Sequence, residues 1–591
     1  MNSGLSPSDP TLVAAFRSAL LHQGAIALLM FVFLCLLWAT ARTWRPAGSP
    51  ETGGATAGEP TEARARWLLR TGFGVLWIFD GILQAQPKMA GGLATQVMEP
   101  IAASSPGWVQ HLVNWGGTAW SYHPIQAGAA SVWIQVGIGT WLIVAVHGPW
   151  SRLAGAASVT WGLIVWVFGE SFGGIFAPGL SWLTGAPGAV LIYVVAGALI
   201  ALPEGAWRVP RPGRLVLAGL GVFFAAMAVL QAWPGRGFWQ GSAGGRPGTL
   251  SGMVTEMAGA PQPHFLSSLL SGFASFATRY GFAVNLVVVI ALAAMGAAFL
   301  TGRPRLVRYA MWSGIVFCLA DWVLVQDFGF LGGLGTDPNS MIPLIVLFSA
   351  GYLALTPAAQ EAETPARATE AKRPRARSVA AAGALAVILL GAAPMAAAAV
   401  NRTADPILAL AISGNSTSLN LPAPGFSLTD QNGRTVSLAS LRGKVVLMTF
   451  LDPVCTSDCP IIAQELKQTG QMLGAQAKNV ELVAVVANPT YRSTAFTRAF
   501  DRQEGLTTVP NWLYLTGSLS QLGAVWRHYG VAVENLPAGA MAAHNDLAVV
   551  IDPAGRIRQE LSSDPGPATV STRSSFSVLL GQYARQALRQ S

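Results

Sequence analysis

Long apolar stretches separated by short basic breaks fill the first two thirds of the chain, and short apolar runs set among polar residues fill the rest. A membrane-crossing helix needs about 20 predominantly apolar residues. About ten stretches approach that length: 12–40, 67–86, 126–147, 153–169, 187–203, 213–233, 281–301, 306–325, 341–357 and 378–400. The first reads as a retained helix, because its apolar run is too long for a leader and no small-residue cleavage site follows. A polar linker rich in Ala, Pro, Glu and Arg occupies 358–377, and a short tether occupies 401–420. Beyond it, Val445–Leu451, Leu482–Ala487 and Leu547–Ile551 read as buried strands, with helical patterns at 459–473 and 491–504 between them. The expected fold class is an all-α polytopic membrane region followed by one α/β domain over 421–591, long enough to fold alone.

Composition agrees with a membrane protein. Of 591 residues, 52% are hydrophobic and 11% charged, against about 25% charged in a soluble protein. The net charge of +9 invites a nucleic-acid reading, but the arginines sit between the apolar segments, where membrane topology accounts for them. Arg42, Arg45, Arg64 and Arg66 follow the first span, Arg152 the third, Arg208, Arg211 and Arg214 the fifth, and Arg303, Arg305 and Arg308 the seventh. Lys372, Arg373, Arg375 and Arg377 precede the last span. Every second loop is basic and therefore cytoplasmic. Both termini, the loops 87–125 and 234–280, and the domain after residue 400 then face outside, in a bacterial-type cytoplasmic membrane. A disulfide can persist there.

The membrane region contains an internal repeat. Gly74-Val75 and Leu83-Gln84-Ala85-Gln86-Pro87 recur as Gly221-Val222 and Leu230-Gln231-Ala232-Trp233-Pro234. Trp166-Val167 with Phe172-Gly173 recurs as Trp322-Val323 with Phe328-Gly329. Each unit is one span, a long outer loop and three spans, so the two four-helix repeats insert the same way up. The units 67–203 and 213–357 resemble the DoxX-like family of four-helix membrane proteins, which implies a respiratory or redox setting and a quinone as a possible cofactor. Asp80, Glu170, Asp321 and Asp327 lie within or at the ends of spans, where ionisable groups are functional candidates. Glu170 and Asp327 fall at similar places in the two repeats, one position out of register, and could line a cavity for a quinone, proton or ion, or cap span ends. Met89, Met98, His111, His123, Met253, Met257 and His264 in the outer loops carry soft or imidazole donors, with ordinary packing as the plainer account. Trp108, Trp115, Trp120 and Tyr122 read as an interface belt.

Four cysteines are present. Cys35 and Cys318 stand alone in apolar stretches, where cysteine usually packs as a small inert residue. Cys455 and Cys459 lie in Asp452-Pro453-Val454-Cys455-Thr456-Ser457-Asp458-Cys459-Pro460, between a strand and a helix. Two cysteines four apart near a helix start bring their sulfurs to one face. A helix N-terminus favours the thiolate. Such a pair suits Cu(I) or can close a disulfide. A structural disulfide here would staple almost no chain. His544, before the strand Leu547–Ile551, could lay an imidazole beside the sulfurs, whereas His528 reads as a surface residue on a helix.

These features resemble the Sco/SenC family. The likeness includes Phe426-Ser427-Leu428-Thr429-Asp430-Gln431-Asn432-Gly433 with Gly443-Lys444-Val445, the Cys455-xxx-Cys459-Pro460 core, Leu515-Thr516-Gly517-Ser518, Tyr529-Gly530-Val531, and His544 with Asp552-Pro553-Ala554-Gly555. It implies a thioredoxin-like fold and copper bound by Cys455, Cys459 and His544. The implied partner is the copper-bearing subunit of cytochrome oxidase, or another extracytoplasmic copper or thiol acceptor. The implied activity is copper delivery, with thiol–disulfide exchange by the cysteine pair as the alternative. A third reading makes the membrane repeats the active, transport or quinone-linked part, with this domain as their periplasmic partner. Three positions depart from the family pattern: Ala543 replaces the usual Asp before the histidine, Thr456 replaces a Pro, and Asn488-Pro489 stands for a usual Asp-Pro.

Overall fold

A computed structural model describes residues 10–43, 62–102, 105–177, 180–243, 246–260, 262–331, 334–355, 373–400, 415–456, 458–535, 541–562 and 576–589. Arg45, Ser457, Lys372, most of the 358–377 linker and the tether up to residue 414 lie outside these. The chain divides into two compact units, one formed by Met1–Ala19, Pro87–Gly128 and Pro394–Ser591, the other by Leu20–Gln86 and Ala129–Ala393. Residues 87–125, expected as an outer loop of the first repeat, therefore group with the C-terminal domain.

Sixteen helices matter here. They are α1 (Pro10–Thr43), α2 (Arg64–Gln84), α3 (Gly107–Tyr122), α4 (Pro124–Val144), α5 (Gly148–Phe168), α6 (Ala189–Ile200), α7 (Arg211–Ala232), α8 (Thr249–Ala258), α9 (His264–Thr301), α10 (Pro304–Leu324), α11 (Met341–Leu355), α12 (Arg373–Val400), α13 (Asp458–Leu473), α14 (Thr494–Gln503), α15 (Leu519–Tyr529) and α16 (Phe576–Arg589). Among the described residues, 7 helices are long and apolar enough to cross a membrane. The remaining expected spans differ from that picture. The helix over 67–86 is α2, which carries Arg64, Arg66, Arg70 and Asp80. The expected spans 187–203 and 341–357 are helices of 12 and 15 residues, about 18 and 22 Å long at 1.5 Å per residue. Pro187-Gly188 and Pro203 bracket the shorter one, because proline and a glycine at φ 101° do not continue a helix. In the other direction, α9 has 38 residues and takes in the last part of the expected loop 234–280, from His264 on, with a break at Tyr280 (φ −120°, ψ 28°).

The second unit repeats its local packing. A Cβ on Gly74 would lie 2.9 Å from the Gly139 carbonyl of α4, and one on Gly221 would lie 3.0 Å from the Gly296 carbonyl of α9. Each helix pair touches there because glycine leaves room for backbone. Trp166 donates to Pro187 O at 2.9 Å and stacks edge-on with Phe172, while Trp322 donates to Pro338 O at 2.8 Å and stacks edge-on with Phe328. Phe172 and Phe328 both sit at positive φ, 61° and 62°. In this register Ser171 (φ 48°) matches Asp327 (φ 46°) and Glu170 matches Gln326. The acids are thus one position apart in space as in sequence. Glu170 accepts from Val190 N at 3.1 Å, the first turn of α6, where the positive end of a helix dipole favours a carboxylate. Asp80 is buried in α2 beside the Tyr193 hydroxyl, and Asp327 is buried at its turn.

Arg66, expected as a topological charge, is buried, and so is Arg70. They share Glu62 at 2.9 Å; Arg70 reaches the Leu142 carbonyl in the last turn of α4 at 2.7 Å, and Arg66 reaches Val146 O, just past the helix, at 2.6 Å. The orphan carbonyls of a helix C-terminus take cations well.

The C-terminal domain holds β1 (Asn415–Pro422), β2 (Ser427–Thr429), β3 (Thr435–Ser437), β4 (Val445–Leu451), β5 (Val480–Val486), β6 (Trp512–Leu515), β7 (Val533–Asn535), β8 (Ala542–His544), β9 (Leu547–Ile551) and β10 (Arg556–Ser562). Six form one sheet, in the order β1-β10-β9-β4-β5-β6. Strands β4, β5 and β6 run parallel, and β9 pairs antiparallel with β4. All seven residues of β4 are buried, as expected of a central strand covered on both faces. Its lone hydroxyl, Thr449, donates to Leu547 O at 3.0 Å. Strands β2–β3 and β7–β8 are separate antiparallel hairpins.

Candidate metal and thiol site

The site lies just past the C-terminal end of β4, the position where parallel α/β sheets leave room for chemistry. The strand ends at Leu451, Asp452-Pro453 turns the chain, and α13 starts at Asp458. Cys455 lies in that loop and Cys459 in the first turn of α13. Neither is in a disulfide, and they are 5% and 0% exposed. Their sulfurs and a carboxylate oxygen of Asp458 lie within 4.8 Å of one another. Cys455 Sγ donates to Asp458 Oδ1 at 3.1 Å.

His544 comes from the β7–β8 hairpin, and its Nε2 lies 3.4 Å from Cys459 Sγ. The far side of the ring faces Asn545 O at 3.4 Å and Asp546 Oδ1 at 3.7 Å from Nδ1. With the proton on Nδ1, donated toward that oxygen pair, the Nε2 lone pair points at Cys459 Sγ. Asp546 thereby supplies from after the histidine the carboxylate that Ala543 does not supply from before it. Burial pushes the His544 pKa down, against smaller opposing effects of Asp458 and the Asn545 carbonyl. The ring is neutral at pH 7, as a metal ligand must be.

The expectation that the helix start would favour thiolate is not met at Cys459. Burial pushes this thiol's pKa well up, and Cys455, Asp458 and Asp452 push it further the same way. Three groups that hold or share negative charge around a desolvated sulfur outweigh the roughly half charge of a helix terminus. That proton must leave before the sulfur can bind a metal.

Asp452, quoted in the motif without a role, organises the site. Its Oδ1 accepts from Val454 N and from Asn488 Nδ2, each at 3.0 Å, and its Oδ2 accepts from Ala542 N at 2.7 Å. One carboxylate ties the cysteine loop, the loop after β5 and the histidine-bearing hairpin together. Its backbone N–H also points at Cys459 Sγ, 3.3 Å away. Asn488 is fitted to this neighbour, since its amide donates to Asp452 while its Oδ1 accepts from Thr490 N and Tyr491 N at 2.8 and 2.9 Å. The sequence signal was the departure from Asp-Pro at 488. Met541, also missed, brings its thioether 3.7 Å from the Thr456 hydroxyl.

The other candidates fall elsewhere. Met89 and Met98 are buried at 0% and 5% exposure, as packing residues. His528 is exposed on α15. Asp80, Glu170, Asp321 and Asp327 belong to the second unit.

Residues 416–574 match the SCO1/SenC family model. The C-terminal region is a Sco/SenC-family domain. Its α/β fold is the thioredoxin-like one. Among curated proteins, the SCO1 protein homolog of Bacillus subtilis is 25% identical over 144 residues, 24% of this chain and 74% of that protein. Among solved structures, Bradyrhizobium japonicum ScoI with copper bound is 22% identical, covering 29% of this chain and 98% of that one at a TM-score of 0.23. BsSco, described as a Sco-family cytochrome c oxidase assembly protein with a disulfide switch, is 20% identical, covering 30% and 97% at 0.25. Copper-bound yeast Sco1 is 16% identical, covering 27% and 98% at 0.22.

Proposed function

We propose that this chain is a membrane-tethered copper chaperone whose Sco-type domain holds Cu(I) and passes it to the copper-bearing subunit of a respiratory oxidase. The observation that carries the reading is the meeting of Cys455, Cys459 and His544, from two elements 85 residues apart, with His544 Nε2 at 3.4 Å from Cys459 Sγ. Two soft sulfurs and an imidazole suit Cu(I), and the neutral ring needs no proton removed before it binds. The ion is cargo. An incoming acceptor ligand replaces one of the three donors at a time, so the metal need never be free. In this reading the apolar helices hold the domain at the membrane, and the basic loops support an extracytoplasmic position for it. The DoxX-like repeats are, in this reading, the anchor that keeps the domain concentrated near membrane-bound acceptors.

Cu(I) titration of the purified chain in detergent under reducing conditions tests this. The expected result is one tight copper, lost in Cys455→Ser and Cys459→Ser and weakened in His544→Ala. Tight binding that survives both cysteine changes overturns it.

The free, adjacent thiols also favour a second reading, in which the domain reduces an acceptor disulfide. One sulfur attacks to form a mixed disulfide, and the other displaces the acceptor, which leaves as a dithiol while Cys455 and Cys459 become a disulfide. A chain that cycles this disulfide but binds no copper tightly would support the second reading over the first.

A further inference from the structure

Helix α3 lies on the cysteine loop. Its buried positions Val109, Val113, Gly117 and Ser121 recur every four residues and form one stripe along the helix. At the C-terminal end of that stripe the residues are small, and the loop between the two cysteines comes against them. The Ser121 hydroxyl sits between its own Gly117 carbonyl, at 2.9 Å, and the Thr456 carbonyl, to which it donates. A Cβ placed on Gly117 would lie 3.6 Å from Thr456 Cβ. Toward its other end, the His111 ring lies 6.4 Å from that of Phe496. Phe496 in turn stands edge-on to Tyr491 at 5.0 Å, next to the Asn488 turn that holds Asp452. The helix also packs against α13, which carries Cys459. It thus spans from the cysteine loop to the loop after β5, the two loops that Asp452 joins.

The cysteines are 5% and 0% exposed with α3 in this place. A protein acceptor must bring its own ligands to within bonding distance of those sulfurs. We propose that α3 is a latch on the cysteine loop, held by the Ser121–Thr456 hydrogen bond and the Gly117 contact, and that it must leave before a macromolecular partner reaches Cys455 and Cys459. Small solutes reach the pair more readily than proteins do. The proposal goes beyond the copper reading and holds for thiol exchange as well.

Two measurements on the full chain in detergent test it without any metal. The first asks whether the contact exists. Disulfides form at Cβ separations of about 3.5–4.5 Å, so Gly117→Cys with Thr456→Cys, in a Cys455→Ser/Cys459→Ser background, should cross-link under mild oxidation. Peptide mass spectrometry reads the product. No cross-link overturns the latch. The second asks whether the contact gates. In the chain with native cysteines, Gly117→Leu should raise the rate at which a polyethylene-glycol maleimide labels Cys455 about tenfold, the scale set by one buried hydrogen bond with its packing. Ser121→Ala should raise it less. The labelling of Cys455 by N-ethylmaleimide should change much less, and Cys318 in α10 should be unaffected. Equal polymer-labelling rates in the native chain and Gly117→Leu overturn the gate even if the cross-link forms.

Discussion

Replacing Asn488 with aspartate moves the chain toward its family's usual residue, yet it should damage this domain. Asn488 Nδ2 donates to Asp452 Oδ1 at 3.0 Å, and both residues are 0% exposed. Asn488→Asp exchanges that donor for a second carboxylate. Two full charges at that separation repel by about 5 kcal/mol at an effective dielectric constant near 20. The alternative is for one of the pair to keep a proton. Holding a carboxyl of ordinary pKa near 3.9 protonated at pH 7 costs about 4 kcal/mol, at 1.36 kcal/mol per pH unit. The cheaper route wins, so the destabilisation at pH 7 is about 4 kcal/mol. The sign with pH follows. The shared proton raises a folded-state pKa above its unfolded value, so the penalty exists above the unfolded pKa and fades as pH falls toward it. At pH 5 it should be about 1.5 kcal/mol. Denaturant unfolding of residues 414–591 produced alone, compared with the native sequence at both pH values, measures this. Adding Asp452→Asn should recover part of the loss by restoring one donor to one acceptor. A cost below about 1 kcal/mol at pH 7, or one that does not change with pH, would refute the reasoning.

Other outcomes follow from the same geometry. Cu(I) affinity should rise with pH between 6 and 8, because Cys459 holds its proton firmly and each ligating thiol must release one, a change of up to about 100-fold per pH unit for two thiols. Competition with a Cu(I) chelator across that range checks it, and a flat profile would exclude thiolate ligation of copper. His544→Ala should weaken copper by about 100-fold while leaving the cysteine disulfide able to form, because only one of three donors is lost; a free-thiol assay after oxidation separates the two effects. Glu504 is fully buried, burial pushes its pKa up to about 8, and its carboxylate oxygens have no hydrogen-bond partner among the described residues. Its folded-state pKa is raised, so ionisation costs stability as pH climbs from about 4.5 toward 8. Glu504→Gln should therefore be more stable than the native domain at pH 8, by about 2–4 kcal/mol in denaturant unfolding, and nearly equal at pH 4.5. A variant that is less stable at pH 8 would show that the carboxylate has a partner.

Much of the candidate site was legible before any coordinates. A seven-residue apolar run ending at Asp452-Pro453, then two cysteines four apart at a helix start, define a strand–loop–helix by local chemistry alone. His544 was legible from its place before a strand and from the family likeness, but its contact with a residue 85 positions earlier needed the tertiary structure. The protonation of Cys459 was misjudged for a related reason. The helix dipole is a local property and can be read from sequence, whereas desolvation and the company of Asp452 and Asp458 depend on what folds over the sulfur. The pairing of Asn488 with Asp452 was visible only as a departure at 488, and its meaning needed the 3.0 Å contact.

In the helical region, apolar length and basic breaks located ten helices to within a few residues at most ends. They overestimated α6, which prolines and a glycine bracket, and missed the N-terminal part of α9. Arg66 was read for its charge, whereas in the structure it and Arg70 hold backbone carbonyls at and just past the end of α4. What the sequence determined on its own was local: the period of each element, the loops that carry charge, the residue types able to bind a soft metal. The tertiary structure alone decided which distant groups meet, His544 on Cys459, Asp452 on three loops, and α3 on Thr456. The physical reason is that periodicity and propensity are properties of neighbours in the chain. Burial and electrostatics are properties of neighbours in space, and these determine whether a thiol is charged, a carboxylate is paired or a metal site is covered.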